Sequence, residues 1–162
     1  MKKLVLAAAA LLLATTAYAA EMKFPSDAPV ASVTFPDTWK PQETDTGIDV
    51  TSPDDSIYLA IDATGAKDAA TAVKEAVEYF KAKGVSVDDA TLQQTQQKLN
   101  GMDYATATWG GTDADGPVTI SLGVLVLGPD SSLVLSYWGT QGAQDQMRGD
   151  IVGIVNSMKP AG

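Results

Sequence analysis

Residues 117–140 read PVTISLGVLVLGPDSSLVLSYWGT, and this stretch decides the fold. Val118, Ile120, Leu122, Val124 and Val126 alternate strictly, which puts all five on one face of an extended strand. Gly128-Pro129-Asp130-Ser131 has the composition of a tight turn, with Pro129 suited to its first central position. Leu133, Leu135 and Tyr137 then alternate with Val134, Ser136 and Trp138, so the two runs predict an antiparallel hairpin. The second face also carries apolar residues, Leu125, Leu127, Val134 and Trp138. A hairpin of this kind belongs in the middle of a sheet that is covered on both sides.

Working outward toward the N-terminus, Asn100-Gly101 is the strongest short hairpin signal in the chain. It joins Thr91–Leu99, a polar strand rich in glutamine, to Met102–Trp109. The glutamine-rich strand cannot bury both faces and is expected at or near a sheet edge, where a polar strand resists pairing with other chains. Before it, residues 68–83 predict a helix. Ala69, Val73, Ala76, Val77 and Phe80 share one stripe, with Asp68 as N-cap and Gly84 as the C-terminal stop. Earlier still, Val33 and Phe35, Gly47–Thr51 and Ile57–Ile61 read as three short strands of an antiparallel meander. Ala20–Val30 is polar and punctuated by proline, an ordered lead-in or a short arm.

After the central hairpin, Ala143–Met158 predicts a second helix, with Met147, Ile151, Ile154, Val155 and Met158 on one stripe. Gly149 and Gly153 weaken it by about 1 kcal/mol each relative to alanine, so packing has to hold it. The order of strands, helix, strands and helix defines an α+β domain. One mostly antiparallel sheet of about six to seven strands carries two main helices.

The N-terminus begins with Lys2 and Lys3, continues through the apolar run Leu4–Ala14 and reaches Ala17-Tyr18-Ala19. Basic start, apolar centre and small-residue cleavage site make residues 1–19 a signal peptide, and 20–162 a single domain. The apolar run is shorter than the roughly 20 residues a membrane-spanning helix needs, so no transmembrane segment is expected. The expected location is therefore periplasmic or secreted. The 162-residue chain has a net charge of −9. Removal of Lys2 and Lys3 leaves nine basic against 20 acidic side chains, which repels nucleic acid and suits a basic partner or plain solubility.

The pattern Phe35-Pro36-x-x-Trp39, the helix in mid-chain, the Asn100-Gly101 hairpin, the long hairpin and the ending Ile154-Val155-Asn156-Ser157-Met158 resemble the PsbP-like fold family. That family contains the extrinsic photosystem II subunit, a nuclear Ran-GTPase-binding protein and small exported bacterial proteins, the DcrB-like ones among them. The resemblance spans roughly Val33 to Lys159. It implies accessory and interaction roles rather than chemistry, and makes Trp39 a core anchor after the first strand.

The chain carries few groups suited to catalysis. There is no histidine and no cysteine, which removes the commonest general base, thiol nucleophiles and most zinc sites. No catalytic residue, metal site or cofactor is assigned. Carboxylates remain. Asp113-Ala114-Asp115-Gly116 is similar to half of a calcium loop, but the chain runs on into a strand with no closing glutamate, and a plain Asp/Gly turn is the competing reading. Asp54-Asp55 and Asp88-Asp89 also fall where turns are expected. Tyr104 and Trp109 fall on opposite faces of their strand, as do Tyr137 and Trp138, so one of each pair is expected in the core. Asp113, Asp115, Tyr137 and Trp138 are the candidate binding residues. The expected function is an exported, non-catalytic accessory domain that binds another envelope protein. The alternative is a periplasmic protein that binds a small ligand or divalent cation.

Overall fold

The computed structural model describes residues 19–65 and 69–162. In chain order the elements are β1 (Ala19–Phe24), β2 (Ala31–Pro36), β3 (Lys40–Glu43), β4 (Gly47–Thr51), β5 (Ile57–Thr64) and α1 (Ala69–Ala82). They continue with β6 (Ser86–Leu99), β7 (Met102–Thr112), β8 (Pro117–Gly128) and β9 (Ser131–Thr140). The chain ends with α2 (Ala143–Gln146), α3 (Arg148–Ser157) and β10 (Lys159–Pro160). The expected signal segment, apart from the backbone of Ala19, and the expected N-cap Asp68 lie outside the described residues.

The hairpin of residues 117–140 is β8 and β9, joined through Pro129-Asp130. It occupies the centre of a seven-stranded antiparallel sheet in the order β3-β4-β5-β9-β8-β7-β6. Its two faces build two cores. Leu125, Leu133, Leu135 and Tyr137 join Ile48, Val50, Ile57, Leu59 and Ile61 in the larger one. Val118, Ile120 and Leu122 of the opposite face join Phe80 and Val85 in the smaller one.

A single sheet does not account for the first strand. β2, expected in the meander, belongs instead to a three-stranded sheet in the order β1-β2-β10. The meander is made by β3, β4 and β5. Phe24, Ala31, Val33 and Phe35 of the small sheet are buried and reach into the larger core. Of the two expectations for Ala20–Val30, an ordered lead-in or a short arm, the structure shows the ordered one in part: residues 20–24 belong to β1, which pairs with β2. The second sheet is the cover that an apolar face as broad as this one requires.

The C-terminal helix breaks at Met147 into α2 and α3. The apolar stripe survives the break. Ile154 and Met158 are buried and Met147, Ile151 and Val155 pack beside them on the larger core. Trp39 is buried after β2, and its Nε1–H donates to Asp150 Oδ2 at 2.9 Å, fixing α3 to the β2–β3 corner.

The Asn100-Gly101 turn has both residues at positive φ, 52° and 84°, the geometry that gives a two-residue hairpin the twist of its strands. Asn100 does more than turn the chain. Its Nδ2 donates to the carbonyls of Asn156 at 2.8 Å and Met158 at 3.2 Å, satisfying the open end of α3. The glutamine-rich β6 is an edge strand and is exposed over most of its length. It starts earlier than its polar run, and Asp88-Asp89, expected in a turn, lie inside it at an irregularity of register between Asp88 and Gln93.

Candidate interaction groove

Three of the four candidate binding residues meet at one turn. Asp113 Oδ1 accepts the backbone N–H of Asp115 at 2.9 Å and of Gly116 at 3.1 Å, and its Oδ2 accepts the Nε1–H of Trp138 at 3.0 Å. Both carboxylate oxygens are therefore engaged by the protein's own donors, as a turn-forming aspartate requires. Asp115 lies exposed in the same turn. Trp138 is half-buried and packs edge-on against Phe80, with ring centroids 6.3 Å apart. Tyr137 points the other way, into the larger core, where burial pushes its hydroxyl up to about 12. Among the described residues no group of three or more Asp or Glu side chains is placed to hold a metal ion.

An open apolar strip lies on the α1 side of the large sheet. α1 turns Val73, Ala76, Val77 and Phe80 onto β8 and β9, as its stripe dictates. One helix is too narrow to cover a seven-stranded face, and β6, β7 and the far half of β8 are left beside it. Three adjoining hollows run along this strip. The widest, about 510 Å³, is lined by Val77, Phe80, Val85, Trp109, Ile120 and Leu122. The next, about 370 Å³, shares Trp109 and Leu122 and adds Val73 and Val124, with Gln94 and Gln96 as its outer wall. A third, about 420 Å³, continues past Val124 to Val126 at the hairpin end.

Their common residues make them one groove, parallel to the strands and floored by β7 and β8. Ala105 and Ala107 keep the β7 part of the floor low. Val126, at the hairpin end of the groove, is 40% exposed. Charges are few along it. Lys98 is paired with Asp103 at 2.7 Å and Lys81 with Glu78 at 3.2 Å, while Asp89 stands at the wide end with no ionic partner among the described residues.

None of the groove-lining residues was a sequence-based site candidate. The signal was present in the alternation of β8, whose apolar face runs on through Val124 and Val126 beyond the reach of a single 14-residue helix.

A second, polar cleft of about 300 Å³ lies on the other flank of α1, lined among others by Thr46, Asp49, Tyr58, Asp62, Glu75 and Tyr79. Burial raises the Asp49 carboxyl above the usual aspartate range. The Tyr58 hydroxyl opposes this by hydrogen bonding and the Asp62 charge adds to it. Burial, with the Asp49 charge second, pushes the Tyr58 hydroxyl above the usual tyrosine range. The Tyr58 and Tyr79 rings stack at 6.0 Å, and Asp62 accepts the Thr46 hydroxyl at 2.7 Å.

By sequence the chain matches no protein-family model and no characterised protein. By structure it is similar to the cyanobacterial PsbP, CyanoP, of Synechocystis sp. PCC 6803. The TM-score is 0.62 at 10% identity, over 90% of this chain and 94% of that one. It is similar as well to LpqN of Mycobacterium tuberculosis, described as involved in cell envelope biogenesis. Here the TM-score is 0.58 at 12% identity, over 90% and 92% of the two chains. A protein of Bacteroides thetaiotaomicron VPI-5482 gives a TM-score of 0.55 at 13% identity, over 82% of this chain and 45% of its own. The class these define is the PsbP-like fold, an α+β domain with a dominant antiparallel sheet, and this chain has it.

Proposed function

We propose that this protein is an exported, non-catalytic accessory domain that docks onto another envelope protein through the groove beside α1. The observation that carries the reading is an apolar sheet face left open over β7 and β8 beside α1. An open apolar surface of this extent, with Trp109 half-buried at its centre, has the composition of a protein-binding patch. The absence of histidine and cysteine from the sequence supports a non-catalytic role. Export is supported by the three-part N-terminus of the sequence, and the cell-envelope description of LpqN agrees with it.

The test is site-specific photo-crosslinking in cells. A photoreactive residue in place of Val126, in the groove, is expected to give one discrete adduct. The same residue in place of Val152, exposed on α3 across the sheet, is expected to give none. Equal labelling from both positions, or none from either, would remove the reading.

The polar cleft supports a second reading, binding of a small ligand, because partly desolvated Asp49 lines it together with Asp62, Tyr58 and Tyr79. A thermal-shift screen of the naturally processed protein decides it. Saturation at 100 times Kd adds about 2.7 kcal/mol, and a shift abolished by Asp49→Asn would establish the cleft as the site. No saturable shift across the panel would rule it out.

A further inference from the structure

We infer that the occupant of the groove is an amphipathic helix with a basic outer face, lying alongside α1 on β7 and β8. This rests on the docking reading above and specifies its partner.

Three observations select a helix. The floor is the face of a sheet, with every floor strand already paired laterally, β7 to β6 and β8, and β8 to β9. An extended segment laid on that face would bury its own N–H and C=O groups without partners, whereas a helix satisfies them internally. The groove also has the dimensions of a helix. From Ile120 to Val126 it runs six residues of strand, about 20 Å at 3.3 Å per residue. That is the length of about 13 residues of helix at 1.5 Å each. Finally, the floor is low at Ala105 and Ala107 between the taller Trp109, Leu122 and Val124, a relief that admits side chains at i, i+3, i+4 and i+7.

Charge selects the outer face. The chain carries −9, the lysines bordering the groove are each paired, and Asp89 at its wide end is not. A basic helix meets an attractive field there. A second copy of this chain would bring a further −9, and the described helices offer no basic outer face: α1 mixes Lys74, Glu75, Glu78 and Lys81. An acidic helix is repelled for the same reason.

The probes are two labelled synthetic peptides of about 14 residues with one Leu/Lys composition, one with leucines at helical spacing and one with strict alternation. Fluorescence anisotropy with the naturally processed protein at physiological salt is expected to show saturable one-to-one binding of the helical-period peptide. Its affinity should exceed that of the alternating peptide by at least about tenfold. Val124→Glu should lower that affinity about tenfold or more, and Val152→Glu, which adds the same charge on α3, should leave it unchanged. Val126→Glu, at a more exposed position, gives the same answer if Val124→Glu does not fold. Equal binding of both peptides, unaffected by the groove variants, would reduce the effect to charge attraction and overturn the proposal. Tighter binding of the alternating peptide would assign docking to the β6 edge instead. Self-association lost in the groove variants would assign the groove to a second copy. A discrete crosslink from Val126 without helical preference would sink the helix and leave the docking reading standing. Absence of the crosslink would remove both.

Discussion

Asp113 serves as a turn former and an indole acceptor at once. Its four-residue turn places Oδ2 under the Nε1–H of Trp138, so the half-buried tryptophan keeps its polar atom paired. Tyr104 and Tyr137 show what burial does to a titrating group in the larger core. The hydroxyl of each is pushed up to about 12, against about 10 in an unfolded chain. The folded state thus holds these protons to higher pH than the unfolded state. Their contribution is intact below about pH 10 and is lost as pH rises through 12, at about 1.4 kcal/mol per pH unit for each. Tyr104→Phe removes one of the two groups. Urea midpoints taken between pH 10 and 11 are expected to fall less in the variant than in the parent protein. An equal fall would show that Tyr104 is not a source of alkaline sensitivity.

Among the elements, the β6–β7 hairpin and α3 are coupled through one side chain. Asn100 tolerates the positive φ of its turn and spends its amide on the last carbonyls of the helix. Asn100→Gly keeps the turn conformation and deletes the cap. It should cost about 1 kcal/mol, read as a lower urea midpoint at unchanged slope. A neutral result would mean that water replaces the cap without loss. The two long helical regions differ in how they are held. α1 carries its own continuous stripe and a glycine stop at Gly84, φ 83°. The C-terminal region, with Gly149 and Gly153, breaks at Met147 and is kept in place by Ile154 and Met158 in the core and by Trp39 on Asp150. Weak local propensity there is overridden by packing.

At the scale of the whole molecule, the two faces of the large sheet are treated unequally. One receives the small sheet together with α2 and α3; the other receives α1 alone. That asymmetry makes the crosslinking contrast between Val126 and Val152 a prediction about the entire fold, because the two residues sit on opposite sides of the sheet. Much of this architecture is legible in the residues themselves. The alternation of 117–140 determined the central hairpin, Asn100-Gly101 determined its neighbour, and the polar run of β6 determined an edge. The absence of histidine and cysteine narrows the chemistry available to the chain. These features are local: periodicity, turn conformation and side-chain chemistry act within a few residues. Which strands share a sheet is a different kind of question. β2 pairs with β1 and with β10, and the sequence separation of that last pair is more than a hundred residues, beyond anything a local pattern encodes. The groove likewise belongs to no single stretch. Val73, Trp109 and Val124 come from a helix and two strands, and their shared exposure follows from one helix being narrower than the sheet it covers. Only the tertiary structure decides that, because it depends on where surface remains after every element has been packed.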